Sequence, residues 1–173
     1  YIIVGYTSSF GSGGYDVWLI KTDANGDTLW MRTYGGTNDD YGRWVQQTSD
    51  GGYIIVGYTS SFGSGGCDVW LIKTDATGDT LWTRTYGGAD SDYGYSVQQT
   101  SDGGYIIVGY TYSDTSWADV YLIKTDATGD ILWTRVYGGA NFDYGYSVEQ
   151  TSDGGYIIVG YTNSFGMGGM MCG

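Results

Sequence analysis

With 173 residues, 41% hydrophobic and 17% aromatic, the chain has the length and the material for a packed core, which excludes a disordered tail. The formal charge of -12 sets 19 acidic residues against 7 basic ones. The basic residues stand singly, so no patch exists for nucleic acid or for acidic headgroups. With 0 histidines, Ser-His-Asp, Cys-His and zinc-histidine machinery are excluded as well.

The 32 glycines, 0 prolines and recurrent Val, Ile, Thr, Tyr and Trp favour strands joined by glycine turns, and no apolar run follows a helical period. The chain opens on YIIVGYT at Tyr1, and the same run returns at Tyr53, Tyr105 and Tyr156, spaced by 52, 52 and 51 residues. That period belongs to propeller blades and long repeats. The expectation is a single repeat domain over 1–173, with copies at 1–52, 53–104 and 105–155 and a partial copy at 156–173. Copies one and two differ only at Tyr15/Cys67, Asn25/Thr77, Met31/Thr83, Thr37/Ala89, Asn38/Asp90, Asp39/Ser91, Arg43/Tyr95 and Trp44/Ser96.

Each copy reads as four strands. SVQQT (Ser96 to Thr100) is small and polar, and SDGG turns the chain into YIIVGYT (Tyr105 to Thr111), whose unbroken apolar run suits a strand covered on both faces. A glycine-rich loop leads to DVWLIKTD (Asp68 to Asp75), and DATGD turns it into TLWTRTY (Thr80 to Tyr86), which alternates as an exposed edge strand does. Polar inner, apolar middle and charged outer strands describe a β-propeller blade, so the predicted class is all-β with one four-stranded antiparallel sheet per repeat. Trp30, Trp82 and Trp133 recur one copy apart just after the hairpin turn, as do Trp18, Trp70 and Tyr121 on the preceding strand. Rings in register with the strand pattern are assigned to packing between blades, at roughly 2 to 3 kcal/mol each.

DVWLIKTDATGDTLW resembles the blade motif of kelch propellers, in which an Asp-Val-Trp strand precedes a turn and a tryptophan. It is similar too to the tryptophan-docking repeat of quinoprotein-type propellers. Tandem copies of this kind resemble those of secreted or cell-surface prokaryotic proteins, and the resemblance implies an extracellular or cell-surface location. No run of about 18 apolar residues and no charged-then-apolar leader is present in the sequence shown.

Two acidic patterns are candidates for chemistry. In DANGD (Asp23, Asn25, Asp27) and DATGD the alternating oxygens resemble the start of a calcium loop, yet the bidentate glutamate is missing, and a hairpin turn with a positive-φ glycine explains them more simply. No cofactor other than calcium is suggested. TNDDYG, ADSDYG and NFDYG contribute Asp39, Asp40, Asp90, Asp92 and Asp143 from the joins between copies, placed on loops at one face. They are the remaining candidates for a metal or for general acid-base work in a hydrolase, although residues repeated in every blade are usually scaffold. Beside them Tyr41, Trp44, Tyr93, Tyr95, Tyr144 and Tyr146 are candidate ligand-binding aromatics, the sort that recognise sugar or peptide. Packing along the rim explains them equally well. Cys67 and Cys172 occupy unrelated positions and suggest neither a disulfide framework nor a metal site.

The expected function is a non-catalytic structural or protein-binding module, with a lectin-like glycan-binding propeller as the alternative. The chain holds little more than three blade-lengths, and propellers close with about four to eight. Its expected partners are therefore other copies of itself or the rest of a longer propeller, and a glycan or surface protein, with no membrane insertion. In the self-associating case the C-terminal SVEQT strand would complete the first blade of the next subunit.

Overall fold

The computed structural model describes residues 1–112 and 117–164, and across them the fold is all-β, in thirteen strands. The strands form four antiparallel sheets of propeller-blade type. The first has three, β1 (Ile2–Thr7), β2 (Asp16–Thr22) and β3 (Thr28–Tyr34). The second is a whole blade in the order β4 (Asp40–Gln47), β5 (Tyr53–Thr59), β6 (Asp68–Thr74) and β7 (Thr80–Tyr86). The third repeats it with β8 (Asp92–Gln99), β9 (Tyr105–Thr111), β10 (Asp119–Thr125) and β11 (Ile131–Tyr137), and the last pairs β12 (Asp143–Gln150) with β13 (Tyr156–Thr162). No helix among the described residues is long and apolar enough to cross a membrane.

The middle strands are covered on both faces, as their apolar runs predict. Ile54 and Val56 of β5 point toward the third sheet and pack with Val97, Tyr105, Ile107 and Ile123, whereas Tyr53 and Ile55 point back toward Val17 and Leu19 of the first. The two-residue period of a strand thus divides one sequence run between two junctions. The third junction repeats the scheme with Ile106, Val108, Leu122 and Val148.

The outer strands of the first two sheets each grip the turn of the next sheet. Trp30 packs edge-on to Tyr53 with ring centres 6.0 Å apart, Arg32 lies over Trp30 and reaches Asp79 at 3.3 Å, and the Tyr34 hydroxyl donates to the Gly78 carbonyl at 2.7 Å. One blade on, Trp82, Arg84 and Tyr86 repeat this against Tyr105, Asp130 and Gly129. The gripped turns, and the equivalent turn of the first sheet, are those in which the sequence suggested calcium. Asp23, Asp75 and Asp126 each turn one carboxylate oxygen onto two backbone N–H groups of their own turn, and Gly26, Gly78 and Gly129 carry the positive φ that closes it. Inside each blade a buried lysine, Lys73 or Lys124, pairs at 2.9 Å with the aspartate of the SDGG turn, Asp50 or Asp102.

The inner strands begin earlier than SVQQT predicts. The third blade's runs from Asp92, so DYGY is strand rather than loop. Between β4, β8 and β12 the backbone is clasped by glutamines: the Gln99 amide donates to Gln46 Oε1 at 2.7 Å and the Gln150 amide to Gln98 Oε1 at 2.6 Å. Tyr86 is buried, and its hydroxyl satisfies a carbonyl of the neighbouring blade. Replacing Tyr86 with Phe is therefore expected to lower stability by about 1 to 2 kcal/mol in urea unfolding, and an unchanged midpoint would contradict the grip.

Candidate functional site

Asp40, Asp92 and Asp143 are the first residues of the three inner strands and are buried, where the sequence had placed them on the loops joining consecutive copies. Asp40 accepts the Thr59 and Ser61 hydroxyls and the Gly36 N–H, the last at 2.8 Å. Asp92 takes the Gly88 N–H at 3.0 Å and Asp143 the Gly139 N–H at 3.1 Å. Each faces a second aspartate from the preceding sheet, Asp16, Asp68 or Asp119, which the sequence reading left out of the cluster. Burial, and then the partner carboxylate, push Asp16, Asp68 and Asp119 above the ordinary carboxylate range. Burial likewise raises Asp92. The hydrogen bonds of Asp40, Asp92 and Asp143 order the blade joins, while Asp119 Oδ1 and Asp143 Oδ1 are buried without a hydrogen-bond partner among the described residues. Burial acts to raise Asp143 as well, but the Ser164 and Thr162 hydroxyls hold it below the ordinary range. Asp39 and Asp90 remain in the turns, where Asp39 accepts the Tyr15 N–H at 3.0 Å, so the acidic cluster of the sequence is two sets with different tasks.

Tyr41, Tyr93 and Tyr144 do come together with other aromatics, in a row that crosses all four sheets. Centroids are 4.8 Å from Tyr6 to Tyr41, 4.9 Å on to Tyr58, 4.7 Å to Tyr93, 4.8 Å to Tyr110 and 4.7 Å to Tyr144, and Tyr161 follows at 6.1 Å. Alternate steps are cross-strand neighbours in one blade and contacts between blades, so the row is chiefly a rim seam.

A second, shorter arc sits on bulges. The register slips between Gly42 and Trp44, between Gly94 and Ser96, and between Gly145 and Ser147. The extra residues are Arg43, Tyr95 and Tyr146, and a bulge re-aims its side chain away from the ladder. The Arg43 guanidinium lies 5.2 Å from the Tyr58 ring centre, 5.4 Å from Tyr95 and 5.8 Å from Tyr41, and it donates to the Tyr58 hydroxyl at 2.7 Å. Tyr146 continues the arc 5.5 Å beyond Tyr95. Tyr146 and Trp44 are each 46% exposed, and Trp44 lines a cavity of about 120 Å³ with Gln46, Gln98 and Glu149.

No protein-family profile matches the chain. It is 30% identical over 176 aligned residues to the regulatory protein FlaEY of Caulobacter vibrioides, a match covering 86% of this chain and 18% of that protein. The chain thus spans less than a fifth of the relative's length. Among solved structures it is similar to a protein of unknown function from Bacteroides caccae, with a TM-score of 0.56 and 10% identity, over 90% of this chain and 49% of the other. At that identity the likeness is one of fold.

Arg43 is the residue that the reading of the sequence missed. A signal for it exists in the letters: Lys21, Lys73 and Lys124 share one register and Arg32, Arg84 and Arg135 another, which leaves Arg43 as the cation without a counterpart in other copies. The paired aspartates give a second test. Groups raised in the folded state bind protons before the unfolded chain does, so stability should rise as pH falls from 7 toward the ordinary carboxylate range. Below 3.8 the sign reverses, because Asp50 and Asp102 are held down to about 2, chiefly by the hydroxyls of Thr48 and Thr100 and then by Lys73 and Lys124. The melting temperature is expected to peak between these limits, and Asp68→Asn to flatten the rise. A steady fall from pH 7 to pH 4 would contradict it.

Proposed function

We propose that the chain is a non-catalytic propeller module of kelch-like or quinoprotein-type design, with a structural or protein-binding role at the cell exterior. It docks further blades of its own kind, supplied by the same polypeptide or by another copy. One observation carries this reading: the Trp-Arg-Tyr grip on the neighbouring turn occurs twice within the chain, and in a third set Trp133 packs on Tyr156 of β13 while Arg135 and Tyr137 meet no such turn among the described residues. Tyr137 is 49% exposed, and Arg135 has no ion pair among the described residues. The first sheet offers the matching turn, with Gly26 and Asp27 where Gly78 and Asp79 stand in the second. The exterior location rests on the resemblance of the tandem copies to secreted and cell-surface prokaryotic proteins.

Association through SVEQT as a donated inner strand is the less economical route, because β12 already pairs with β13 along its length. A saccharide-binding role is the second reading, favoured by the exposed arc that ends on Tyr146.

Sedimentation at micromolar concentration is expected to show species larger than a monomer. Arg135→Asp should weaken them at least tenfold, and a second change, Asp27→Arg, should restore them by reversing the charges. A monomer at every concentration would contradict self-association.

A further inference from the structure

We propose that the bulge arc is a binding site for an acidic sugar, with Arg43 taking the carboxylate of a uronic acid and Tyr95 and Tyr146, whose rings meet edge-on, forming a platform on one side of its ring. The inference rests on the saccharide-binding reading and names the ligand class and the residue that selects it. Near-identical repeats supply the first argument. Of the eight positions at which copies one and two differ, five fall between residues 37 and 44, in the join and the start of the inner strand. The scaffold is uniform elsewhere, so the asymmetry needed for a single ligand is concentrated beside this arc.

Charge supplies the second. In a chain of formal charge -12, Arg43 is the basic residue that no repeat register explains, and it enters no ion pair among the described residues. A guanidinium has five N–H donors in a fixed fork, and here one bond, to the Tyr58 hydroxyl, holds it in place. The rest can receive a planar carboxylate bidentately, with the tyrosine faces stacked on the cation to fix its orientation. A single cation matches a single carboxylate, whereas a strongly acidic peptide would bring further charges against an acidic surface. Beyond Arg43 the arc continues as phenol rings and hydroxyls, which offer a pyranose both apolar faces and hydrogen-bonding groups.

The test compares methyl β-glucuronide with methyl β-glucoside, which differ at the carboxylate, by NMR titration of the whole chain. A short blocked peptide with one glutamate serves as the third probe. The glucuronide is expected to bind at least tenfold more tightly than the other two and to shift signals of Arg43, Tyr95 and Tyr146. Arg43→Tyr writes into copy one the residue that copies two and three already carry, so the fold should persist, as its melting curve will show. It should abolish the preference for the acid. Tyr146→Ala should weaken the glucuronide while leaving it preferred. Equal binding of acid and glucoside, unchanged in Arg43→Tyr, would overturn the inference and leave the saccharide reading standing. Equal binding of the glutamate peptide would assign the site to peptide carboxylates instead. Absence of glucuronide binding would overturn the inference outright, and the broader reading would then fail separately if neutral glycans also left the tyrosine signals unmoved.

Discussion

Every blade depends on how closely its neighbour approaches at the inner strand. Gly94 lies against Val56 and Val69 of the preceding sheet, and a Cβ built there would stand 2.7 Å from the Val56 methyl, 2.7 Å from the Gly57 carbonyl oxygen and 2.9 Å from the Val69 methyl. Gly42 meets Val4 and Val17 in the same way, and Gly145 meets Val108 and Val120. The backbone of one sheet rests directly on the valines of the next, and at that distance the paired aspartates, the tyrosine row and the glutamine clasp come within reach. Interiors packed to this density are sensitive to a single methyl group.

The junction is built from parts with distinct physical roles. Its centre is apolar and sealed by alternate residues of the YIIVG strands. Its outer edge is fixed by tryptophan, arginine and tyrosine holding a turn, and its inner edge by buried carboxylates whose hydrogen bonds order the loop that crosses between sheets. Because the parts repeat, they describe a scaffold. Arg43, Trp44 and the turn residues beside them break the repetition, and the proposed acidic-sugar site is centred there for that reason.

The sequence made the fold legible because its period is long and its copies nearly identical. YIIVGYT announced a strand buried on both sides, and the register of Trp30, Trp82 and Trp133 announced a contact between blades. It was less informative about the rim. Alternation alone places Tyr41, Tyr93 and Tyr144 near one another, but the slip after Gly42, Gly94 and Gly145 depends on pairing with a distant strand, so the local letters do not reveal that Arg43, Tyr95 and Tyr146 are turned out on bulges. The aspartates misled for a related reason. Asp-Tyr-Gly reads locally as a polar turn, and only the adjoining sheet, with Asp68 and its neighbours, shows that the carboxylate is enclosed.

The most direct test of the close-packed junction is the unfolding free energy of Gly94→Ala beside Gly88→Ala. Gly88 has nothing within 4 Å of where a Cβ would stand, so its replacement should change stability by no more than about 0.5 kcal/mol. At Gly94 the same methyl group must push two sheets apart, and a loss of about 1 to 3 kcal/mol is expected. Equal stability of the two variants would contradict the account, since the blades would then not be held at the distance on which the rest of the structure is built.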